Sequence, residues 1–410
     1  MADLTTKFLG ITCPNPFWLA SAPPTNTGGQ VMRAFEAGWG GAVWKTLGKP
    51  IENVTSRFGA VDYLGRKIAG FNNIELITDR PLSVNLKEME ACKKRFPKNI
   101  LVASLMVETK EEWREIIKAV EGVGSDAIEL NFGCPHGMCE RGMGSAVGQE
   151  PKVLREITSW VKEYAKVPVL VKLTPNITDV TRAARAAREG GADGVSLINT
   201  IKSIVGVNLD NFVPYPEVNG RSTNGGYCGP AVKPIALHMV AAIARDAQAR
   251  QPISGIGGIS TWRDAVEFMA LGSGTVQVCT AVMHYGYRII EDLCQGMSDW
   301  MDEKRYESVA DFTGRAVPNY TSWEELDRGF HQVAKIHENN CIGCNLCVVA
   351  CDDGGHQCIR MNAEFREDGH TRRAPVVDEP ECVGCNLCAL VCPSPGAITM
   401  EKAPKPAAHH

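Results

Sequence analysis

The chain has 410 residues, 22% of them charged and 44% apolar, with a formal net charge of −4. That composition fits a folded globular protein with room for one large domain and a small one. The acidic balance offers no footprint for nucleic acid or an anionic membrane. No apolar run approaches the roughly 18–20 residues of a membrane span, and the opening MADLTTKFLG has neither a signal-peptide nor a transit pattern. A cytoplasmic location without nucleic-acid or membrane partners is therefore expected.

From about residue 10 to residue 285, short apolar runs alternate with amphipathic helical stretches. The runs are PFWLASA from Pro16, GAVWKT from Gly41, ILVASLM from Ile100, AIELNFGC from Ala127, PVLVKLTP from Pro168, GVSLINT from Gly194, PISGIGG from Pro252 and TVQVCTA from Thr275. Each has the length of a buried parallel strand. Between them lie helix patterns such as EEWREIIKAVEGV, PKVLREITSWVKEYA, DVTRAARAAREGG and KPIALHMVAAIARDA, and glycines close several helices, at Gly38, Gly190–Gly191 and Gly272. Eight strand–helix units predict an α/β fold, a closed (β/α)8 barrel over residues 1–285. The rival, an open doubly wound sheet, usually carries GxGxxG after its first strand, and LASAPPT does not resemble it. Residues 286–335 read as a helical and irregular connector, 336–403 as a small ferredoxin-like domain, and 404–410 as a tail in which His409 and His410 look like the start of a purification tag.

Nine of the sixteen cysteines lie after residue 340, eight of them in two identical runs. These are Cys341-x2-Cys344-x2-Cys347-x3-Cys351 and Cys382-x2-Cys385-x2-Cys388-x3-Cys392-Pro393. This is the bacterial two-cluster spacing, in which the fourth cysteine of each run ligates the other cluster. One 4Fe–4S cluster is then expected on Cys341, Cys344, Cys347 and Cys392, and a second on Cys382, Cys385, Cys388 and Cys351. The glycines of CIGCNLC and CVGCNLC let backbone N–H groups approach the sulfides. Paired zinc knuckles are the alternative, but zinc takes four ligands and would leave the later cysteines of each run redundant. Asp352 follows Cys351 where the pattern often has proline, with no loss of ligation expected. Cys358 falls outside the ligand count and reads as spare and buried.

Active sites of such barrels form at the C-terminal ends of the strands. Polar residues recur there: Ser21, Lys45, Thr46, Asn131, Lys172, Asn199, Thr200, Gly257, Gly258, Cys279 and Thr280, with Asn73 in the loop after the second strand. Loops seven and eight often bind phosphate through backbone amides. A reductase fed by one-electron clusters needs a cofactor that turns single electrons into a hydride, and FMN meets both requirements. Lys45 and Lys172, inside apolar strands, are either cations beside a reduced flavin or halves of internal salt bridges. Asparagine offers a donor and an acceptor in one plane. Three of them could read a flat ring edge that alternates donors and acceptors, or some could simply cap loops.

The segments LNFGCPHGMCERGMG, VKLTPN, INT and GIGGI, followed by the two cysteine runs, closely resemble dihydropyrimidine dehydrogenase: its flavin barrel and C-terminal cluster domain, as in the separate catalytic subunit of bacterial enzymes. The barrel also resembles the wider dihydroorotate dehydrogenase superfamily. The resemblance covers nearly the whole chain. It implies reduction of the 5,6 double bond of uracil or thymine, a flavin site at Ser21, Lys45, Thr46, Lys172, Gly229, Gly257, Gly258, Cys279 and Thr280, and a pyrimidine site at Asn73, Asn131, Phe132, Gly133, Asn199 and Thr200. The family often has serine where this chain has Gly133, which removes one hydroxyl contact. The family's acid–base cysteine matches Cys134.

The expected reaction is hydride transfer from flavin N5 to C6 and protonation of C5 by Cys134. The unperturbed cysteine pKa of about 8.5 keeps Cys134 mostly thiol at neutral pH. Cys139 and His136 are nearby competitors for that role, in a Gly-rich stretch that reads as a lid. No dinucleotide fingerprint appears, so electrons are expected from an NAD(P)H- and FAD-binding flavoprotein subunit or a ferredoxin. The resemblance favours the flavoprotein and a homodimeric core within a hetero-oligomer. The competing functions are a dihydroorotate dehydrogenase-type flavoprotein, an RNA-modifying flavin reductase (NFGCP also resembles the dihydrouridine synthases), and a non-catalytic electron-transfer subunit of a larger reductase.

Overall fold

The computed structural model describes residues 2–63, 66–135, 137, 142–365 and 371–404. The expected lid residues His136 and Cys139, and tail residues 405–410, lie outside the described residues. Two compact units divide the chain, Met1–Tyr320 and Thr321–His410.

In the first unit all eight apolar runs become strands: β1 (Phe17–Leu19), β2 (Gly41–Leu47), β3 (Ile100–Leu105), β4 (Ala127–Asn131), β5 (Val169–Lys172), β6 (Gly194–Leu197), β7 (Ile253–Ile256) and β8 (Ser273–Val278). They pair in parallel, each with the next, and β8 returns to β1 to close the barrel. Their central positions are buried on both faces, as a parallel barrel inside a ring of helices requires. The helices start where capping chemistry predicts. Thr109 accepts from the Glu112 N–H at the head of Lys110–Gly122, and Thr261 does the same for Asp264 at the head of Trp262–Ala270.

An N-terminal hairpin, Thr6–Phe8 with Ile11–Cys13, belongs to an apolar cluster with the lower strand residues Trp18, Val43, Val102 and Leu170. Phe8 meets Trp18 edge-on at 5.6 Å. This end of the barrel is closed with hydrocarbon, which leaves the opposite, C-terminal end for polar chemistry. There the β2 and β6 loops form an antiparallel sheet of four strands, Phe58–Tyr63, Arg66–Asn73, Ile201–Ser203 and Gly225–Cys228. Asn73, expected in a loop, sits at the end of one of these strands and pairs with Gly226.

The eighth helix, Ile289–Lys304, lies within the stretch expected as a connector. A one-and-a-half-turn helix, Thr280–Tyr285, ends at Gly286 in front of it, and that glycine resembles a domain terminator in sequence. The helix belongs to the barrel unit: its Leu293, Met297 and Met301 join the main core, and the Trp39 indole N–H donates to the Tyr287 carbonyl at 2.8 Å just before it.

In the second unit, Gln332–Ile336 pairs antiparallel with Ile398–Lys402, and Ile359–Phe365 with Thr371–Val377. The two cysteine runs are conformational twins. Gly343 and Gly384 both take φ of +70°, and Asn345 and Asn386 follow at +66° and +68°. Glycine and asparagine tolerate this left-handed region best. Each turn leads into a short helix carrying the third cysteine of its run, Leu346–Val348 and Leu387–Leu390.

A Cβ added at Gly296 would lie 2.0 Å from the Trp262 ring. Gly→Ala inside a helix ordinarily gains about 1 kcal/mol. Gly296→Ala is expected to lose about 1–3 kcal/mol instead, through overpacking against Trp262–Ala270, read as a lower urea midpoint. A gain in stability would place the eighth helix off the barrel.

Candidate active site

The C-terminal ends of the strands surround a cavity of ≈ 1180 Å³ open to solvent. All nine residues expected for a flavin line it: Ser21, Lys45, Thr46 and Lys172 from the first half of the barrel, Gly229, Gly257 and Gly258, then Cys279 and Thr280 after β8. So do Asn73, Asn131, Cys134, Asn199 and Thr200. Two expected substrate residues, Phe132 and Gly133, are absent from the lining. Phe132 is 2% exposed and packs edge-on to Trp113 at 6.4 Å. A Cβ at Gly133 would stand 2.4 Å from the Asn199 Cβ, so serine fits there only if Asn199 moves.

Lys45 and Thr46 are sequence neighbours, and strict strand alternation would send them to opposite faces. The β2–β3 register slips between Trp44 and Leu47, and this irregularity brings both to the cavity. The Thr46 hydroxyl contacts Ser21 Oγ at 3.1 Å and Ser104 Oγ at 2.9 Å, and accepts from Asn131 Nδ2 at 3.0 Å. One donor and two lone pairs are then fully used, so this hydroxyl orients Asn131. Asn131 Oδ1 accepts from Asn199 Nδ2 at 2.9 Å, and Asn199 Oδ1 from the Thr200 N–H at 2.8 Å. Asn73 Nδ2 donates to the Gly226 carbonyl at 3.1 Å. Each of the three amides uses one N–H in these bonds, and an amide has two.

Both lysines are ion-paired. Lys45 meets Glu75, which also approaches Arg57 at 3.6 Å. Burial, with Arg57 adding to it, pushes Lys45 down to about 8, against the opposing pull of Asp79 and Cys279. Lys172 Nζ stands 3.6 Å from Glu129 Oε1, a carboxylate with no solvent exposure inside the barrel. Glu129 Oε2 accepts from Ser196 Oγ at 2.7 Å and Gln277 Nε2 at 3.2 Å, and Gln277 also reaches Ser254 Oγ at 3.2 Å. Gln277 lines the cavity, and its Oε1 is buried without a hydrogen-bond partner. Burial, and then neighbouring Cys228, drives the Cys279 thiol up to about 12, so it is neutral at any physiological pH. Cys134, 8% exposed, belongs to an apolar cluster with Ile77, Met106 and Met143, and its carbonyl accepts from the Ser145 N–H at 3.0 Å.

Sequence reasoning missed Glu75, Glu129, Gln277, Tyr227 and Cys228. Glu129 carries the same signal that singled out the lysines, a charge inside an apolar strand, and it lies two residues before Asn131 on the same strand face.

In the second unit, one cavity of ≈ 350 Å³ is lined by Cys351, Cys358, Cys382, Cys385 and Cys388, and another of ≈ 330 Å³ by Cys341, Cys344, Cys347 and Cys392. Apart from Cys358, which lies outside the two runs, each cavity combines three cysteines of one run with the fourth of the other, the division that the spacing predicts. Among the described residues no three His, Cys, Asp or Glu side chains converge as ligands of a single ion. Thiols arranged around a void suit a multi-atom cluster.

Fold and site thus define an α/β-barrel oxidoreductase joined to an iron–sulfur module. The chain belongs to the dihydroorotate dehydrogenase family, whose profile matches residues 3–301, and a 4Fe–4S dicluster domain follows at residues 334–400. It is 41% identical over 366 residues, 89% of both chains, to the NAD-dependent dihydropyrimidine dehydrogenase subunit PreA of Escherichia coli K12. It is 43% identical over 337 residues, 79% of each chain, to the chloroplastic dihydropyrimidine dehydrogenase (NADP(+)) of Arabidopsis thaliana. The catalytic subunit of dihydroorotate dehydrogenase B (NAD(+)) from Pyrococcus horikoshii is 35% identical over 321 residues, 77% of this chain and 98% of that one. No helix among the described residues is long and apolar enough to cross a membrane.

Removing one partner of a buried ion pair costs about 3–5 kcal/mol, because the other charge is left uncompensated. Lys172→Met is expected to destabilise the barrel by that order, and Lys172→Met with Glu129→Gln by clearly less. Urea unfolding of the two variants checks the coupling.

Proposed function

We propose that this protein is the catalytic subunit of a dihydropyrimidine dehydrogenase, which reduces the 5,6 double bond of uracil or thymine. The observation that carries this reading is the convergence of Cys134, Asn73, Asn131, Asn199 and Thr200 with the nine candidate flavin residues on one cavity.

The residues present fit FMN. Gly257 and Gly258 take φ of +135° and +73°, and a Cβ there would meet Ala236 and the Gly229 carbonyl at 2.7 and 2.8 Å, so bare backbone lines that part of the cavity. Backbone of this kind, next to Cys279 and Thr280, suits a phosphate. The orphaned Gln277 Oε1 calls for a donor from a ligand. When bound, FMN would supply hydride-transfer chemistry to the pyrimidine ring. Lys45 and Lys172 offset negative charge on the flavin. The asparagine set, fixed by Thr46 and by the Asn131–Asn199 bond, presents its remaining amide groups to the pyrimidine edge. A ring with a mismatched edge leaves buried polar groups unpaired, at about 1–3 kcal/mol each. Cys134 holds a proton on Sγ and delivers it to C5.

The eight cysteines hold two 4Fe–4S clusters, whose chemistry when bound is one-electron transfer. The E. coli relative is named a subunit, which supports a partner here, a flavoprotein that takes electrons from NAD(P)H. Dihydroorotate is the less suitable substrate, since its carboxylate asks for a cation. The cationic side chains among the described lining residues are Lys45 and Lys172, and both are assigned to the flavin.

Anaerobic mixing of the purified chain with dihydrouracil, dihydrothymine and dihydroorotate tests the reading. Bleaching of the bound flavin by the first two is expected, and bleaching by dihydroorotate alone would overturn it. Cys134→Ala is expected to lower turnover by about 10²–10⁴-fold with flavin content unchanged, and retention of full turnover would remove Cys134 from the proton step.

The Lys45 charge gives a pH test. In the free site it is present below about pH 8 and lost above it, so FMN affinity that draws on it weakens as pH rises through that value. Fluorescence titration of FMN binding should show this limb in the unsubstituted chain and not in Lys45→Gln.

A further inference from the structure

The two cysteine-lined cavities of the second unit are near-copies. Ile342 and Asn345 line one, and Val383 and Asn386 hold the same run positions in the other. The chain leaves each fourth cysteine and returns to its cavity just before a strand. After Cys392 it returns at Ala397–Ile398, and after Cys351 at Cys358–Ile359. The backbones match here too. The Ala397 carbonyl accepts from the His337 N–H at 2.8 Å, and the Cys358 carbonyl from the Asp378 N–H at 2.7 Å. Ala397 is 1% exposed and Cys358 4%. The copies differ in chemistry at this position, where one has a methyl group and the other a thiol.

That thiol is not idle in the geometry. Cys358 Sγ lies 3.4 Å from Cys351 Sγ, within sulfur hydrogen-bonding distance. The intervening loop is held by two backbone bonds: the Gln357 N–H donates to the Cys351 carbonyl at 2.9 Å and the Gly355 N–H to the same oxygen at 3.1 Å. A cysteine that ligates iron is a thiolate and can only accept. The hydrogen between the two sulfurs therefore belongs to Cys358.

We infer that Cys358 is a tuning residue, a buried thiol that donates an S–H···S hydrogen bond to Cys351 and so makes the cluster on Cys351, Cys382, Cys385 and Cys388 the easier of the two to reduce. Reduction adds negative charge to a cluster, and a hydrogen bond to a ligating sulfur stabilises the more negative state, which raises the reduction potential. The first cluster, with Ala397 in the equivalent place, lacks this bond. Two sites built from one duplicated motif are thereby set to different potentials, which gives single electrons a preferred resting place. The inference rests on the cluster assignment proposed above.

The test is an anaerobic redox titration of the full chain followed by electron paramagnetic resonance, with iron analysis beside it. The unsubstituted chain is expected to show two reduction waves. In Cys358→Ala the more positive wave moves to lower potential while the other stays, and iron content is unchanged. Cys358→Ser, whose hydroxyl can still donate, restores the wave toward its original position, which separates the hydrogen bond from simple loss of packing. Waves that do not move in Cys358→Ala overturn the inference. So does loss of iron in that variant, which would make Cys358 a ligand. Absence of cluster signals and iron from the unsubstituted chain would instead remove the cluster assignment itself.

Discussion

The barrel depends on a charge that it has to bury. Glu129 has no solvent exposure and lies among strand residues, where an isolated carboxylate would be prohibitively costly. Lys172, Ser196 and Gln277 resolve this, and Gln277 continues the network to Ser254. Apolar layers seal the barrel below, around Trp18 and Phe8. The polar network therefore acts as a floor on which the open cavity stands. Its upper members, Lys172 and Gln277, are themselves lining residues. Stability and site chemistry share the same side chains, and neither can be altered independently.

A second constraint works at the rim. The register slip in β2 brings Lys45 and Thr46 to the same cavity, and the Thr46 hydroxyl is then fully used in orienting Asn131 against Asn199. The asparagines are thus held in place before any ligand arrives, and a site assembled in advance pays less to bind. Gly133 belongs to the same arrangement. Its missing side chain leaves room for Asn199 at a distance that no Cβ would allow, so the glycine there is a packing requirement as well as a missing hydroxyl.

Much of this could be read from the chain alone. Eight buried runs at strand length located all eight barrel strands, because a parallel barrel buries each strand on both faces and leaves little ambiguity in pattern. The division of eight cysteines into two crossed sets followed from spacing, and the two cavities have those sets in their walls. Other features were hidden for identifiable reasons. The four-stranded antiparallel sheet over the mouth is built from strands far apart in sequence, and its Gly- and Asn-rich segments read as loops. The eighth helix was obscured by Gly286. Phe132 was expected in the pocket from the family resemblance, yet it follows the last residue of β4 and packs against Trp113.

The sequence by itself determined the fold class, the family and the reach of the barrel strands, since each depends on local periodicity or on motifs of fixed spacing. Tertiary structure decided what each polar residue does. Whether a buried lysine is free or paired, whether a hydroxyl still has a lone pair to offer, and whether the spare Cys358 lies beside Cys351 all depend on atoms brought together from distant positions. Such facts are settled by distance in space, and no spacing along the chain encodes them.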